Sequence, residues 1–346
     1  MLTPELDQFI RRMPKVELHI HLEGAASSRT LLELANRNEV PIPAWDLASI
    51  EELYTYNSFG DFLTVFMALT RAIVKYHDFE QVAYEMGRML AQQNVLYAEV
   101  MLSPMQHLLN GINLLQAVAA TAEGFQRAEE ESGIVVRLAL DYGRQYGTDY
   151  AWNVLDIARR AMEYGVVAWS IGGNEIHHPP EPFAEVFAAA RAAGLHVMAH
   201  AGEVAGPASV WGAVDALQVE RVGHGIRSVD DPALVRYLVE QEIVLDVSPS
   251  SNILTGAASS WETHSLRQLY DAGVIVTVNS DDPTFFRTTL TDEYRRITRY
   301  FGFNADDLCN LVLNSVRGSF LPPAEKERLH RRVQHELSDL RFQLGV

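Results

Sequence analysis

Eight short apolar runs, each stopping at a polar residue or a glycine, constrain this chain more than any other feature. They are Val16–Leu22, Tyr97–Leu102, Val135–Asp141, Val166–Ile171, His196–His200, Arg221–His224, Ile243–Val247 and Ile275–Val278. Runs this short, rich in β-branched residues and apolar on both faces, read as strands buried in a parallel sheet. Between them lie segments with helical periodicity and helix punctuation. Tyr150–Tyr164 stops at Gly165, and Phe183–Ala193 begins after Pro182 and stops at Gly194. Asp231-Pro232 opens Ala233–Gln241, and Ser265–Ala272 stops at Gly273. Proline suits a first helical turn and glycine the residue after a last one. Strand then helix, eight times over, predicts an α/β chain folded as a (β/α)8 TIM barrel. A doubly wound open sheet is the alternative, but no G-x-G-x-x-G follows the first run.

The gap between the first two runs is too long for one helix. Residues 23–95 are therefore expected to add helices over the barrel mouth, and residues 284–346 to form a C-terminal helical extension. No Pro/Gly/Ser-rich linker divides the chain, so one domain over 1–346 is expected.

Composition excludes several functions. The formal charge is −17, from 28 basic and 45 acidic residues. Such a surface repels phosphate backbones and anionic membranes, so no nucleic-acid or membrane partner is expected. No apolar stretch approaches the roughly 18 residues of a membrane span. The N-terminal MLTPELDQFIRRMP has no apolar core of a signal peptide, so a cytoplasmic location is expected. A monomer or weak homo-oligomer is expected. Cys309 stands alone, which excludes an intrachain disulfide and any zinc site built from several thiolates of one chain.

Active sites of such barrels sit at the C-terminal ends of the strands. Here those ends read His19-Ile20-His21-Leu22-Glu23-Gly24, Ser170-Ile171-Gly172-Gly173-Asn174-Glu175, His200-Ala201-Gly202-Glu203, Gly223-His224-Gly225 and Asn279-Ser280-Asp281-Asp282-Pro283. His19 and His21 are two apart on a strand, so both rings face the barrel interior. His200 supplies a third nitrogen and Asp281 a carboxylate oxygen. A His3Asp set leaves a position for water, which suits one catalytic Zn2+. Zinc lowers the pKa of such a water to about 7.

Other rim residues take roles around that set. Glu203 lies past its strand end, where a carboxylic acid in a dry pocket keeps its proton and can donate it. His224 is placed to orient the water or to accept its proton. Gly173 allows close approach to the backbone. Asp282 can accept or donate a hydrogen bond to a heterocycle nitrogen. Ser103, at the second strand end, is either a turn residue or a substrate contact. His177-His178 reads as a solvent-exposed or lid pair. His77, His107, His264, His330 and His335 read as surface or helix residues.

Five stretches now carry a resemblance. PKVELHIHLEGA, HAGEVAGPASVW, RVGHG, SPSSNILTG and NSDDP, in this order from Pro14 to about Glu293, resemble the motifs of the adenosine deaminase family of metal-dependent amidohydrolases. The resemblance implies that His19, His21, His200 and Asp281 bind one zinc and that Glu203 protonates the ring nitrogen beside the attacked carbon. It implies that His224 positions the attacking oxygen and that Asp282 holds the imidazole side of a purine. It gives Gly173 the far ring nitrogen, and Glu23 with His21 the sugar. The implied reaction is hydrolysis of the 6-amino group of a small purine nucleoside or base. Adenosine or deoxyadenosine, giving inosine or deoxyinosine and ammonia, comes first. Adenine, or a larger nucleoside such as aminodeoxyfutalosine, comes second.

Two departures bear on the substrate. Glu23 stands where adenosine deaminases usually carry Asp, a feature shared with adenine deaminases. Ser170 and Asn174 stand where Asp is usual. The chain's lysines are Lys15, Lys75 and Lys326, so none lies near the fourth strand end. That favours one metal over the lysine-bridged pair of other amidohydrolases.

Overall fold

A computed structural model describes residues 2–346. Its centre is one parallel sheet in the order β1-β2-β3-β4-β5-β6-β7-β8. The strands are β1 (Lys15–His21), β2 (Val95–Leu102), β3 (Val135–Gly143), β4 (Val166–Gly172), β5 (His196–Ala201), β6 (Arg221–His224), β7 (Val244–Val247) and β8 (Ile275–Val278). All eight expected runs are strands, with ends moved by no more than two residues.

The sheet closes on itself, and the closure matters for the site. Beyond β8 the backbone of Asp281 pairs with β1. The His21 N–H donates to Asp281 O at 2.8 Å, and the Asp281 N–H donates to His19 O at 3.1 Å. Asn279 extends the seam with its side chain, its Oδ1 accepting from Leu18 N–H at 2.9 Å and His19 N–H at 3.1 Å. The same bonds that shut the barrel therefore set Asp281 beside His19 and His21.

The helices end where the sequence punctuates them. Gly165 and Gly273 take left-handed φ of 87° and 88° after their helices, a conformation that costs other residues free energy. Asp231 caps the helix Pro232–Glu240, its Oδ1 accepting from Ala233 N–H at 2.8 Å. Between β1 and β2 run helices Leu22–Ala25, Ser28–Arg37, Leu47–Leu53, Phe59–Thr70 and Tyr76–Gln92. The last packs on the helix Leu114–Ser132, as an ordinary crossover helix would. Phe62 and Phe66 of helix Phe59–Thr70 join Phe285 and Phe286 in one aromatic cluster at the mouth. After the barrel come helices Leu290–Phe301, Ala305–Gly318 and Pro323–Leu344.

The opposite end of the barrel is shut by a buried ion cluster. Arg221 Nε donates to Asp246 at 2.7 Å and its Nη1 to Glu99 at 2.5 Å, with the Phe320 ring 4.0 Å from the guanidinium carbon. Removing one partner of such a group strands a buried charge, so this end reads as structural. Among the described residues, no helix is long and apolar enough to cross a membrane.

Candidate active site

Every rim residue singled out in the sequence lies at the C-terminal end of the barrel. His21, Gly173, His200, Glu203, His224, Asp281 and Asp282 line one cavity of about 740 Å³, open mouth included. That lies within the range of small-molecule sites. His19 sits beneath it, fully buried.

Their side chains converge. One ligand atom from each of His19, His21 and His200 falls within 4.8 Å of the others, as does one from each of His19, His224 and Asp281. Asp281 Oδ1 is 3.4 Å from Nε2 of both His19 and His21. Both ring nitrogens of His19 and Nδ1 of His21 are buried without a hydrogen-bond partner. Of these, His19 Nε2 faces the Asp281 carboxylate, and a bare buried nitrogen there fits a cation between them. His200 is prepared for the same task. Its Nδ1 lies 3.2 Å from Ile171 O and 3.5 Å from Asp141 Oδ1, so the proton sits there and Nε2 keeps its lone pair.

Backbone geometry supports the convergence. His224 and Asp281 adopt left-handed φ of 62° and 63°, costly for residues with side chains and concentrated at working sites. Gly24 is required by Asp282, because a Cβ there would lie 1.8 Å from its Oδ1.

Burial sorts the acids into opposite states. Asp281 is held well below the usual carboxylate range. Burial would raise it, but the nearby imidazoles of His19, His224 and His21 outweigh that. Glu203 is pushed well above the range by burial, then by the charges of Asp281, Glu175 and Asp282. Asp282 is pushed up by burial too, against the pull of His21. Burial thus favours the protonated form of two acids beside one carboxylate that the histidines hold ionised. His200 falls to about 4 through burial and is neutral.

His21 behaves differently. Burial lowers it, but Asp282, Asp281, Asp141 and Glu23 outweigh burial and raise it to about 8. A ligand imidazole must be neutral. Metal uptake at pH 7 is therefore expected to release about one proton from this residue, and affinity to fall as pH drops below about 8. Calorimetry in two buffers of different ionisation heat measures the release. Equal apparent heats in both would contradict it.

Glu23 does not line the cavity. Its Oε1 accepts from Ser103 N–H at 3.0 Å and lies 2.8 Å from His107 Nε2, which ties that oxygen to the cavity wall, while Oε2 is buried without a partner. His107 and His264, expected as surface or helix residues, are both buried, although His107 does lie on the helix Pro104–Leu109. Further functional neighbours had no clear sequence signal. Glu175 accepts from the backbone of Gly202 at 2.5 Å, Glu203 at 3.2 Å, Val204 at 2.9 Å and Ala205 at 3.0 Å. It thereby fixes the loop that carries Glu203. Gln145 lies against Gly173, whose φ is 85° and whose added Cβ would meet Gln145 Oε1 at 2.2 Å.

A closed barrel with a buried His/Asp cluster able to hold a metal and a buried acid on the same cavity is the arrangement of a metal-dependent hydrolase of the amidohydrolase type. The adenosine deaminase profile matches residues 14–336, and the chain belongs to that family. Aminodeoxyfutalosine deaminase of Streptomyces avermitilis is 37% identical over 331 residues, covering 95% of this chain and 92% of that one. The crystal structure of an adenine deaminase from Arthrobacter aurescens superposes with a TM-score of 0.90 at 30% identity, covering 94% of this chain and 99% of that one. A zinc-bound amidohydrolase from Burkholderia ambifaria gives 0.92 at 31% identity, covering 100% and 96%. The protein is accordingly an enzyme, a deaminase-type hydrolase of C–N bonds.

Proposed function

We propose that this enzyme hydrolyses the 6-amino group of an adenine ring, releasing ammonia and leaving a carbonyl, and that the adenine is carried on a nucleoside. The observation that carries the reaction is the convergence of His19, His21, His200 and Asp281 at one end of the cavity that the buried Glu203 also lines. Zinc is the ion we expect His19, His21, His200 and Asp281 to hold, since three imidazoles and one carboxylate match its preferences and the Burkholderia relative binds it. When bound, such an ion lowers the pKa of a coordinated water to about 7 and makes the nucleophile available at neutral pH.

The chain's own residues do the rest. Glu203 gives its proton to the ring nitrogen beside the attacked carbon, which breaks aromaticity as that carbon becomes tetrahedral. His224 faces the attacking oxygen. Asp282, being protonated, donates to the imidazole side of the purine, and the backbone at Gly173 meets the far ring nitrogen. Groups fixed in advance around the tetrahedral species favour it over the flat ring, and this is the source of the rate.

The walls support a substrate class. Phe59, Phe62, Leu63, Phe66 and Met67 make one side apolar, and among the described residues no Lys or Arg lines the cavity. A nucleotide phosphate would enter that space with no guanidinium or ammonium group on its walls to pair with it. An apolar wall suits a base or the carbon framework of a nucleoside, and the Streptomyces relative is named for a larger nucleoside, aminodeoxyfutalosine. The motifs by themselves put adenosine and deoxyadenosine first. Free adenine is the second reading, favoured by the Arthrobacter structure and by the withdrawal of Glu23 from the cavity. A panel of adenine, adenosine, deoxyadenosine, aminodeoxyfutalosine and adenosine monophosphate, with kcat/KM for each, tests this. Aminodeoxyfutalosine is expected to lead by at least tenfold, the effect of about 1.4 kcal/mol of wall contact, and the monophosphate to be inert. Adenine in the lead would overturn the nucleoside reading.

A further inference from the structure

His224 is reached from behind by a buried chain of side chains that ends on an unambiguous donor. The Leu266 backbone N–H lies 3.1 Å from His264 Nδ1. A backbone N–H can only donate, so that ring nitrogen carries its lone pair. Burial pushes His264 down to about 4, so the ring is neutral and its one proton is on Nε2. That nitrogen is 3.2 Å from Asn252 Oδ1 and donates to it. The amide nitrogen of Asn252 is then the atom 3.0 Å from His224 Nδ1, and it donates in turn. Reversing any one link would set two donors, or two lone pairs, against each other in a dry interior, which costs the desolvation of both groups. Asn252 is fully buried, and His224 and His264 are nearly so.

We infer that Leu266, His264 and Asn252 form a directional relay that fixes His224 as the tautomer protonated on Nε2. His224 then presents a hydrogen-bond donor to the reaction centre, where Nε2 lies 3.7 Å from Glu203 Oε1 and 3.8 Å from Asp281 Oδ2. Two consequences follow. His224 is excluded from the cation's ligands although its distances would admit it, because the nitrogen facing the cluster has no lone pair. It is also excluded as the resting base, and it orients the attacking oxygen by donating to it. His200 carries the opposite tautomer, because Ile171 O takes its Nδ1 proton. Two rings facing one point are thus set in opposite senses by their neighbours. Asn252 and His264 do not line the cavity, so they are positioning residues that act through His224.

The tautomer is independent of the substrate; only its catalytic consequence rests on the deaminase reading. The test is long-range proton–nitrogen NMR of zinc-loaded protein labelled with nitrogen-15 in histidine, with the His224 signals identified by their loss in His224→Gln. The wild type is expected to show a protonated Nε2 and a bare Nδ1 at His224. Asn252→Asp offers only acceptors, so the proton is expected on Nδ1. Turnover should then fall by the order of 10²–10⁴ found when a catalytic imidazole is held in the wrong tautomer or loses its proton-handling role. KM should move little. His264→Phe should give mixed tautomers and His264→Gln, which can still donate to Asn252, should restore the single one; this pair decides the matter if Asn252→Asp does not fold. A bare Nε2 in the wild type, or an unchanged His224 pattern in Asn252→Asp, overturns the relay. The expected tautomers in a protein inert on every adenine compound would leave the relay standing and overturn the functional reading.

Discussion

Glu203→Gln is expected to lower kcat by about 10³-fold, inside the range for loss of a general acid and equivalent to about 4 kcal/mol of transition-state stabilisation. The substitution keeps the shape and the polar contacts of the side chain. It removes only the transferable proton that burial, Asp281, Glu175 and Asp282 hold on the acid at neutral pH. Metal content should stay at one ion per chain, because Glu203 is not in the donor cluster. KM should change little, since the amide can still donate to a ring nitrogen. The wild-type rate should also decay on the alkaline side as Glu203 loses its proton, and this limb should vanish from whatever activity the variant retains. Stopped-time assays of ammonia release over substrate and pH series, with elemental analysis of each sample, measure all four. A variant with undiminished kcat would remove Glu203 from the proposed role.

The second large effect is expected at Asp281, where Asp281→Asn should cost most of the bound metal and nearly all turnover. Its carboxylate is the one anion within 3.4 Å of both His19 and His21, and it is held ionised by them and by His224. Asparagine preserves the backbone bridge to β1 that closes the barrel, so folding should survive while the charge is lost. Residues that only support metal ligands cost about 10–100-fold in affinity when replaced, and a ligand should cost more. Elemental analysis after dialysis, alongside a thermal melt, separates the outcomes. Retention of a full ion in a folded Asp281→Asn protein would show that the carboxylate is not a ligand.

What the sequence revealed and what it hid follow one physical division. Strands buried on both faces leave continuous apolar runs, so all eight were visible, and β6 and β8 fell on the expected residues. His19, His21, His200, His224 and Asp281 were visible because a barrel strand must end at the rim, and their places could be read from the strand ends. The supporting contacts were not visible in that way. Glu175 lies just past β4, but its partners are the amides of the loop after β5, which only the closed barrel brings near. His107 and His264 had no neighbours in sequence to mark them, and each is buried beside a partner in another element or loop, Glu23 and Asn252. Asn252 sat inside a recognisable motif, yet its purpose appears only when His224 and His264 lie on either side of it. Glu23 was legible as a rim residue, but not its attachment to Ser103 and His107 in the wall.

The central claim is that water replaces the amino group on an adenine ring inside this one cavity. Zinc-loaded protein incubated with the leading substrate of the panel in oxygen-18 water tests it directly, by mass spectrometry of the product and titration of ammonia. The account predicts one ammonia released per turnover and one solvent oxygen bound at the carbon that carried the amine. Product without the heavy oxygen, or an adenine ring returned intact while another bond of the substrate is cut, would contradict it.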